Sequence, residues 1–316
     1  MSIPVLRTAE GWWSVTSSGR AARIDTAASS TAGLLADRDA VAAAAHRDGA
    51  AGLVDVSTLF PLSPVTVPCR VVAQMTNYSS HVRDSGMNPA TVPLTFFRKT
   101  SGSISGPFDD VIRPGHVRLL DYEVEIGLVI GRTLAVGTEV TEHGLASYVA
   151  GLVVTNDVSA RDVQLPKTQF YEAKSYPTFT PTGPVLLVLE DGDHDRFTDL
   201  RLRLWVNGRS RQDSDVTDMI YSPVRALREL SRFQRLDPGD LVLTGTPGGT
   251  ALKAPPKPVE LIGSLLPPAT KWKTFFRSQA RNPRYLKPGD VVEASIATPD
   301  GALDLGRQRT VIREGQ

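Results

Sequence analysis

The sequence predicts an α+β, β-rich fold: a roll or barrel of many strands with some helix on its flanks. Three observations carry this. Short apolar or alternating runs bounded by turn residues recur from residue 71 to residue 296. One clear amphipathic helix interrupts them, with Val224, Leu227 and Leu230 spaced to share a face. Two Pro-Gly-Asp turns, at Pro238-Gly239-Asp240 and Pro288-Gly289-Asp290, each open a strand.

Taken in order, residues 12–15 and 21–24 read as two short strands joined across Ser17-Ser18-Gly19. An Ala-rich tract at 34–51 favours helix and brings little apolar area, which suits a covering element. Pro61, Pro64 and Pro68 mark a linker, so residues 1–65 stand apart from 66–316. Strands follow at 71–75, 122–130, 151–155, 185–189 and 200–206, the last leading into an Asn207-Gly208 hairpin turn. Ser222 suits an N-cap and Pro223 the first position of a helix at 223–233. Strands at 241–243 and 291–296 close the series. Between them lies a Pro-rich insertion at 250–285 whose basic-aromatic stretch, 271–277, reads as a helix that tucks Trp272, Phe275 and Phe276 onto the body.

Composition narrows the function. Lys plus Arg is 35 against 34 Asp plus Glu, a net charge of +1, so no basic excess exists for a general nucleic-acid binder. With 41% hydrophobic and 22% charged residues the chain can bury an ordinary core. The single cysteine, Cys69, excludes an internal disulfide framework and a Cys-based zinc site. No apolar run is long enough for a membrane span, and the first residues lack a signal-peptide pattern, so a cytoplasmic enzyme or binding protein is the expectation.

Five local patterns carry chemistry. Glu123 and Glu125, two residues apart on a strand, project together and repel unless a cation sits between them. Asp157 ends an apolar strand, a place for a ligand or a turn cap. His81 and Asp84 come one turn apart if 77–84 is helical, and a carboxylate that orients an imidazole makes a better base. Lys174 follows in Glu172-Ala173-Lys174-Ser175. Thr246 sits in Thr244-Gly245-Thr246-Pro247-Gly248-Gly249, a strand end opening into a Gly-rich loop that exposes backbone N–H groups and lacks the Lys of a phosphate loop.

Together and in this order the patterns resemble the fumarylacetoacetate hydrolase superfamily, its acylpyruvase and 2-hydroxyhepta-2,4-diene-1,7-dioate isomerase-like branch. The residues that carry the resemblance are Asn77-Tyr78-Ser79-Ser80-His81, Tyr122-Glu123-Val124-Glu125, Asn156-Asp157-Val158-Ser159-Ala160-Arg161-Asp162-Val163-Gln164, Lys174-Ser175, Asn207-Gly208, Pro238-Gly239-Asp240 and Thr244-Gly245-Thr246-Pro247. It covers about three quarters of the chain, roughly 70 to 310. The resemblance implies a mixed β-sandwich roll, barrel-like in outline, of the family's C-terminal domain type, with residues 1–65 as a small N-terminal accessory domain. It implies a divalent metal on Glu123, Glu125 and Asp157, Mg²⁺ first with Mn²⁺ or Ca²⁺ as alternatives, and three carboxylates do suit a hard cation. It implies His81 as the base that activates water, with Asp84 in place of the Glu of many relatives. It gives Lys174 and Gln164 to developing negative charge, Thr246 and Tyr78 to the substrate, and Arg161 to the substrate side or to orienting the acids. The implied activity is hydrolysis of a C–C bond in a 1,3-diketo or acylpyruvate-type 2-oxo acid through a metal-stabilised enolate. The rivals are an oxaloacetate-type decarboxylase, an isomerase or dehydratase of 2-oxo acids on the same fold, and a non-catalytic binding protein. A homodimer is implied as well, with the insertion shaping the pocket or packing on the second copy.

Overall fold

The computed structural model describes residues 2–49, 51–167, 169–255 and 265–315. Its main sheet has ten strands, from edge to edge Val54–Asp55, Arg20–Arg23, Gly11–Val15, Ile3–Thr8, Leu186–Val188, Val149–Asn156, Val124–Ile130, Leu241–Leu243, Val71–Met75 and Thr95–Lys99. The pair Leu241–Leu243 and Val71–Met75 is parallel, and the other pairs are antiparallel. A second sheet runs Arg209–Asp215, Arg201–Val206, Val291–Ala297, Asp304–Glu314 and Val111–Arg113. The two sheets pack face to face, and among the described residues neither closes into a barrel.

The central strands are apolar throughout because both of their faces are covered. Ile126, Leu128, Leu152 and Val154 meet Leu202, Leu204, Ala294 and Ile296 of the second sheet in one core. On the far face, Val129, Val153, Leu241 and Leu243 pack with Trp12, Leu34, Leu35 and Val41 from the N-terminal segment. All seven residues of Val124–Ile130 are buried, which explains why this strand lacks the apolar-polar alternation of a half-exposed one.

Most expected elements form. The hairpin turn has Asn207 at φ 51° and Gly208 at φ 73°, the left-handed pair that a two-residue turn with the twist of its strands requires. The helix Pro223–Ser231 starts as expected, with Ser222 Oγ accepting from Arg225 N at 3.4 Å. The Ala-rich tract differs. It forms two helices, Thr31–Ala36 and Arg38–Ala45, broken at Asp37, whose carboxylate accepts from Thr26 Oγ1 at 2.6 Å. They cover the sheet, yet they insert Leu34, Leu35 and Val41 into its core. Strand Ile3–Thr8 pairs with Leu186–Val188, so the strands of residues 1–65 continue the main sheet.

Candidate active site

Register builds the acidic cluster. Val124 lies opposite Asn156 at the end of the central ladder, so Glu123 and Asp157 emerge side by side. Two backbone bonds fix them: Asp157 N donates to Glu123 O at 2.8 Å, and Glu123 N donates to Asn156 Oδ1 at 2.9 Å. Glu125 joins from within the strand. One carboxylate oxygen of each of Glu123, Glu125 and Asp157 lies within 4.8 Å of the others, and all three residues are buried.

Buried cations hold this cluster. Lys174 Nζ bridges Glu123 Oε2 at 2.5 Å and Asp157 Oδ2 at 2.6 Å. Lys99 Nζ donates to Asp157 Oδ1 and, at 3.0 Å, to Phe179 O. Arg161 donates through Nε to Asp121 Oδ2 at 2.9 Å, through Nη1 to Gln164 Oε1 at 2.8 Å, and through Nη2 to Glu123 Oε1. Burial alone raises the pKa of Glu123, but Lys174 and Arg161 outweigh it and hold this carboxyl well below the usual range. Burial opposes the charge of Lys174 too, and Asp157 and Glu123 still raise its pKa.

Glu125 is the exception. Its Oε2 accepts from Gly245 N at 2.7 Å, and among the described residues no cation pairs with it. Burial, then the charges of Asp157 and Glu123, push its pKa well above the ordinary value. Four buried carboxylates, Asp121 included, thus face three buried cations. Hard oxygen donors with an uncompensated acid among them fit a divalent cation such as Mg²⁺.

His81 lies on the short helix Ser79–Asp84 that the sequence predicts, and it is buried. Burial lowers its pKa, favouring the neutral imidazole. The expected contact with Asp84 does not form. Asp84 instead accepts from Gly249 N at 3.1 Å and from Lys253 Nζ at 3.1 Å, while His81 Nδ1 has no partner among the described residues. The cause is the Gly-rich loop, whose N–H groups serve the protein itself: Gly245 N binds Glu125, Gly248 N binds Ser80 Oγ at 2.8 Å, and Gly249 N binds Asp84. Only glycine fits at 249, where φ is +104° and a Cβ would stand 2.1 Å from Arg211 O.

A cavity of about 330 Å³ brings together His81, Glu123, Glu125, Arg161, Gln164, Lys174 and Thr246. Met75, Met87, Phe97, Leu165 and Phe170 form its apolar wall. Two expected substrate contacts are altered. Tyr78 is fully buried in the main core and does not line the cavity, because the backbone around it is pinned to residues 219–221. Thr246 lines it, but its hydroxyl donates to Val124 O at 2.9 Å and accepts from Gln212 Nε2 at 2.8 Å. Arg161 likewise spends its donors on Asp121, Glu123 and Gln164, an orienting role. Of the insertion, residues 256–264 lie outside the described residues. Leu252, Lys253 and Ala254 line the cavity, and Pro268–Gln279 is a helix whose Trp272 stacks on Phe276 at 5.7 Å, with Phe276 reaching the core.

Sequence reasoning missed Lys99, Asp121 and Asp218. Lys99 ends the strand Thr95–Lys99 beside Arg98, and nothing in the sequence separates the buried cation from the exposed one. Asp121 also accepts from Ala251 N at 2.8 Å and Leu252 N at 3.1 Å, tying the insertion to the site. Its place next to the Tyr-Glu-x-Glu pattern was the available signal. Asp218 accepts from Ser80 N at 3.0 Å, 138 residues away, at the start of the His81 helix.

The chain is similar to several known proteins. Residues 70–313 match the family model described as fumarylacetoacetate (FAA) hydrolase C-terminal. The mitochondrial oxaloacetate tautomerase Fahd2a of Rattus norvegicus is 36% identical over 206 residues, covering 65% of this chain and 64% of that protein. The chain thus spans just under two thirds of that relative's length. The 2,4-didehydro-3-deoxy-L-rhamnonate hydrolase of Sphingomonas sp. (strain SKA58) is 34% identical over 253 residues, covering 79% of this chain and 75% of that protein. A solved structure of a probable 2-hydroxyhepta-2,4-diene-1,7-dioate isomerase from Mycobacterium abscessus superposes with a TM-score of 0.71 at 28% identity, covering 100% of both chains. The cluster of acids on two adjacent strand ends, the fold around it and these matches place the chain in the fumarylacetoacetate hydrolase family.

Proposed function

We propose that this protein is a divalent-metal enzyme that hydrolyses a C–C bond in an acylpyruvate-type 2-oxo acid. One observation carries the reading: Glu123 and Glu125, Lys174 and a buried His81 with an unpartnered ring nitrogen line one cavity, and Asp157 is clustered with the two glutamates. In such a reaction the bond between the distal acyl carbon and the neighbouring methylene breaks. Water's hydroxyl goes to the acyl carbon and its proton ends on the methylene, giving a carboxylic acid and a pyruvate-type product.

Glu123, Glu125 and Asp157 would hold Mg²⁺, Mn²⁺ or Ca²⁺, which when bound supplies a Lewis acid for a carbonyl oxygen. His81, neutral because buried, takes the proton from water. Lys174 Nζ, held between Glu123 and Asp157, and the Gln164 amide stand where negative charge develops on the departing fragment. Arg161 and Lys99 keep the acids in place. A homodimer and a cytoplasmic location belong to the same reading, and light scattering and cell fractionation check them.

A second reading has a specific observation behind it. Asp84 is committed to Gly249 and Lys253, so His81 lacks the carboxylate that would orient it. That favours chemistry without an activated water, enolisation or decarboxylation of an oxaloacetate-type acid, and the Rattus norvegicus relative bears the name oxaloacetate tautomerase. Acetylpyruvate, fumarylpyruvate and oxaloacetate, each assayed with Mg²⁺ and with product analysis, separate the two. The first reading expects C–C cleavage of an acylpyruvate, falling about 10²–10⁴-fold in His81→Ala. Full turnover by His81→Ala would remove the water-activating role. Turnover of oxaloacetate alone would install the second reading.

A further inference from the structure

Two polar side chains in the cavity have no task in the chemistry above. Gln74 is 2% exposed and its Nε2 has no partner among the described residues; Thr76 Oγ1 is likewise buried and unpartnered. Both line the same cavity as Glu123, Glu125 and Lys174. Gln74 lies within Val71–Met75 and Thr76 directly follows that strand. A buried donor without an acceptor is costly, so natural proteins rarely keep one, let alone two together.

The backbone there is held in an unfavourable shape. Thr76 has φ 46°, a left-handed conformation that a β-branched residue seldom adopts. Asn77 enforces it, donating through Nδ2 to Tyr221 O at 3.0 Å and Thr244 O at 2.9 Å, and accepting from Tyr221 N at 2.8 Å. The strain therefore fixes where the Thr76 hydroxyl stands, as expected where a side chain is presented to a ligand.

We propose that Gln74 and Thr76 form the subsite for the substrate's distal end, and that this end is a neutral oxygen function, a hydroxyl or carbonyl, and not a second carboxylate. The inference rests on the reading of the acid trio as the anchor for the 2-oxo acid. Charge accounting selects the neutral group. Of the described cations lining the cavity, Arg161 and Lys174 are bound by the acid cluster, and Lys253 is neutralised by Asp84 at 3.1 Å. A second carboxylate would be buried beside Met75, Phe97 and Phe170 without a free cation to meet it. An amide N–H and a hydroxyl suit a neutral oxygen acceptor and tolerate that apolar wall.

The test is calorimetric binding to the Mg²⁺-loaded protein with four probes: oxalate, which reads the anchor alone, 4-hydroxy-2-oxopentanoate, 2-oxopentanoate and oxaloacetate. The wild-type protein is expected to bind 4-hydroxy-2-oxopentanoate at least about tenfold tighter than either 2-oxopentanoate or oxaloacetate. Gln74→Leu and Thr76→Val should each erase most of that preference and leave oxalate binding unchanged. Gln74→Leu should also raise Tm, because it removes an unsatisfied buried amide. The comparison among ligands in the wild type needs no variant to fold. Oxalate binding with no preference for the hydroxylated acid, or with tighter binding of oxaloacetate, would overturn this inference alone. Absence of oxalate binding would overturn the anchor and the inference together.

Discussion

Lys99 illustrates how a residue that looks like ordinary surface can be structural. It is 3% exposed and pairs with Asp157, which it shares with Lys174. Removing one member of a buried pair strands the other's charge, so Lys99→Met in metal-free protein should lose about 3–5 kcal/mol in urea unfolding. A loss below about 1 kcal/mol would mean that Lys174 alone suffices for Asp157. Cys69 supplies a second check. Burial, aided by the negative charge of Asp240, pushes its pKa up to about 12. At pH 8 only on the order of one thiol in 10,000 is then ionised, so iodoacetamide should label it far more slowly than an unfolded control. The three carboxylates were legible because spacing on a strand and position at a strand end are sequence properties. Lys174 and Arg161 stood out only through the resemblance, and Lys99 did not stand out at all, since Lys99 and Arg98 differ only in which way the pleat turns them. The His81–Asp84 pair was legible as proximity and does not form a bond, because the backbone N–H of Gly249, 165 residues away, and the Lys253 ammonium hold the carboxylate.

The helix Ser79–Asp84 has six residues and no side-chain cap of its own from Tyr78. A helix so short does not persist by propensity. Its start is held by Asp218 and its flank by Gly248 and Gly249, so the position of His81 is set by two distant loops. Asp218→Ala should cost about 1 kcal/mol of stability. It should lower kcat more than it raises KM, with Asp218→Asn intermediate, if the helix serves to place His81. Equal loss with both variants and an unchanged kcat would give Asp218 a purely structural part. The Gly-rich loop shows why function could not be read from composition: a run that exposes N–H groups announces binding of something, and here the partners are Glu125, Ser80 and Asp84. Strands and the Ser222-capped helix were legible because each is specified locally. The break at Asp37 and the full burial of Val124–Ile130 depend on what lies across the sheet.

The site depends on a charge balance that spans the molecule, and a bound dication should therefore act on the whole fold. Mg²⁺ at 100 times its Kd should add about 2.7 kcal/mol and raise Tm, and Glu125→Gln or Asp157→Asn should abolish that shift in a thermal melt against EDTA. An unchanged shift in both variants would place the cation elsewhere. The parallel pairing of Val71 with Leu241 has a further consequence, for synthesis. A growing chain that has just completed its Asn207–Gly208 hairpin already holds every carboxylate and ammonium of the cluster. It still lacks the strand that seats Val71–Met75, and the Gly245 N–H that faces Glu125. Such a nascent chain carries concentrated unmatched charge and an open apolar edge, so contacts this distant in sequence make closure the late and slow step. The parallel strand that shelters the mature pocket is thus also what leaves an unfinished chain most dependent on protection from premature association.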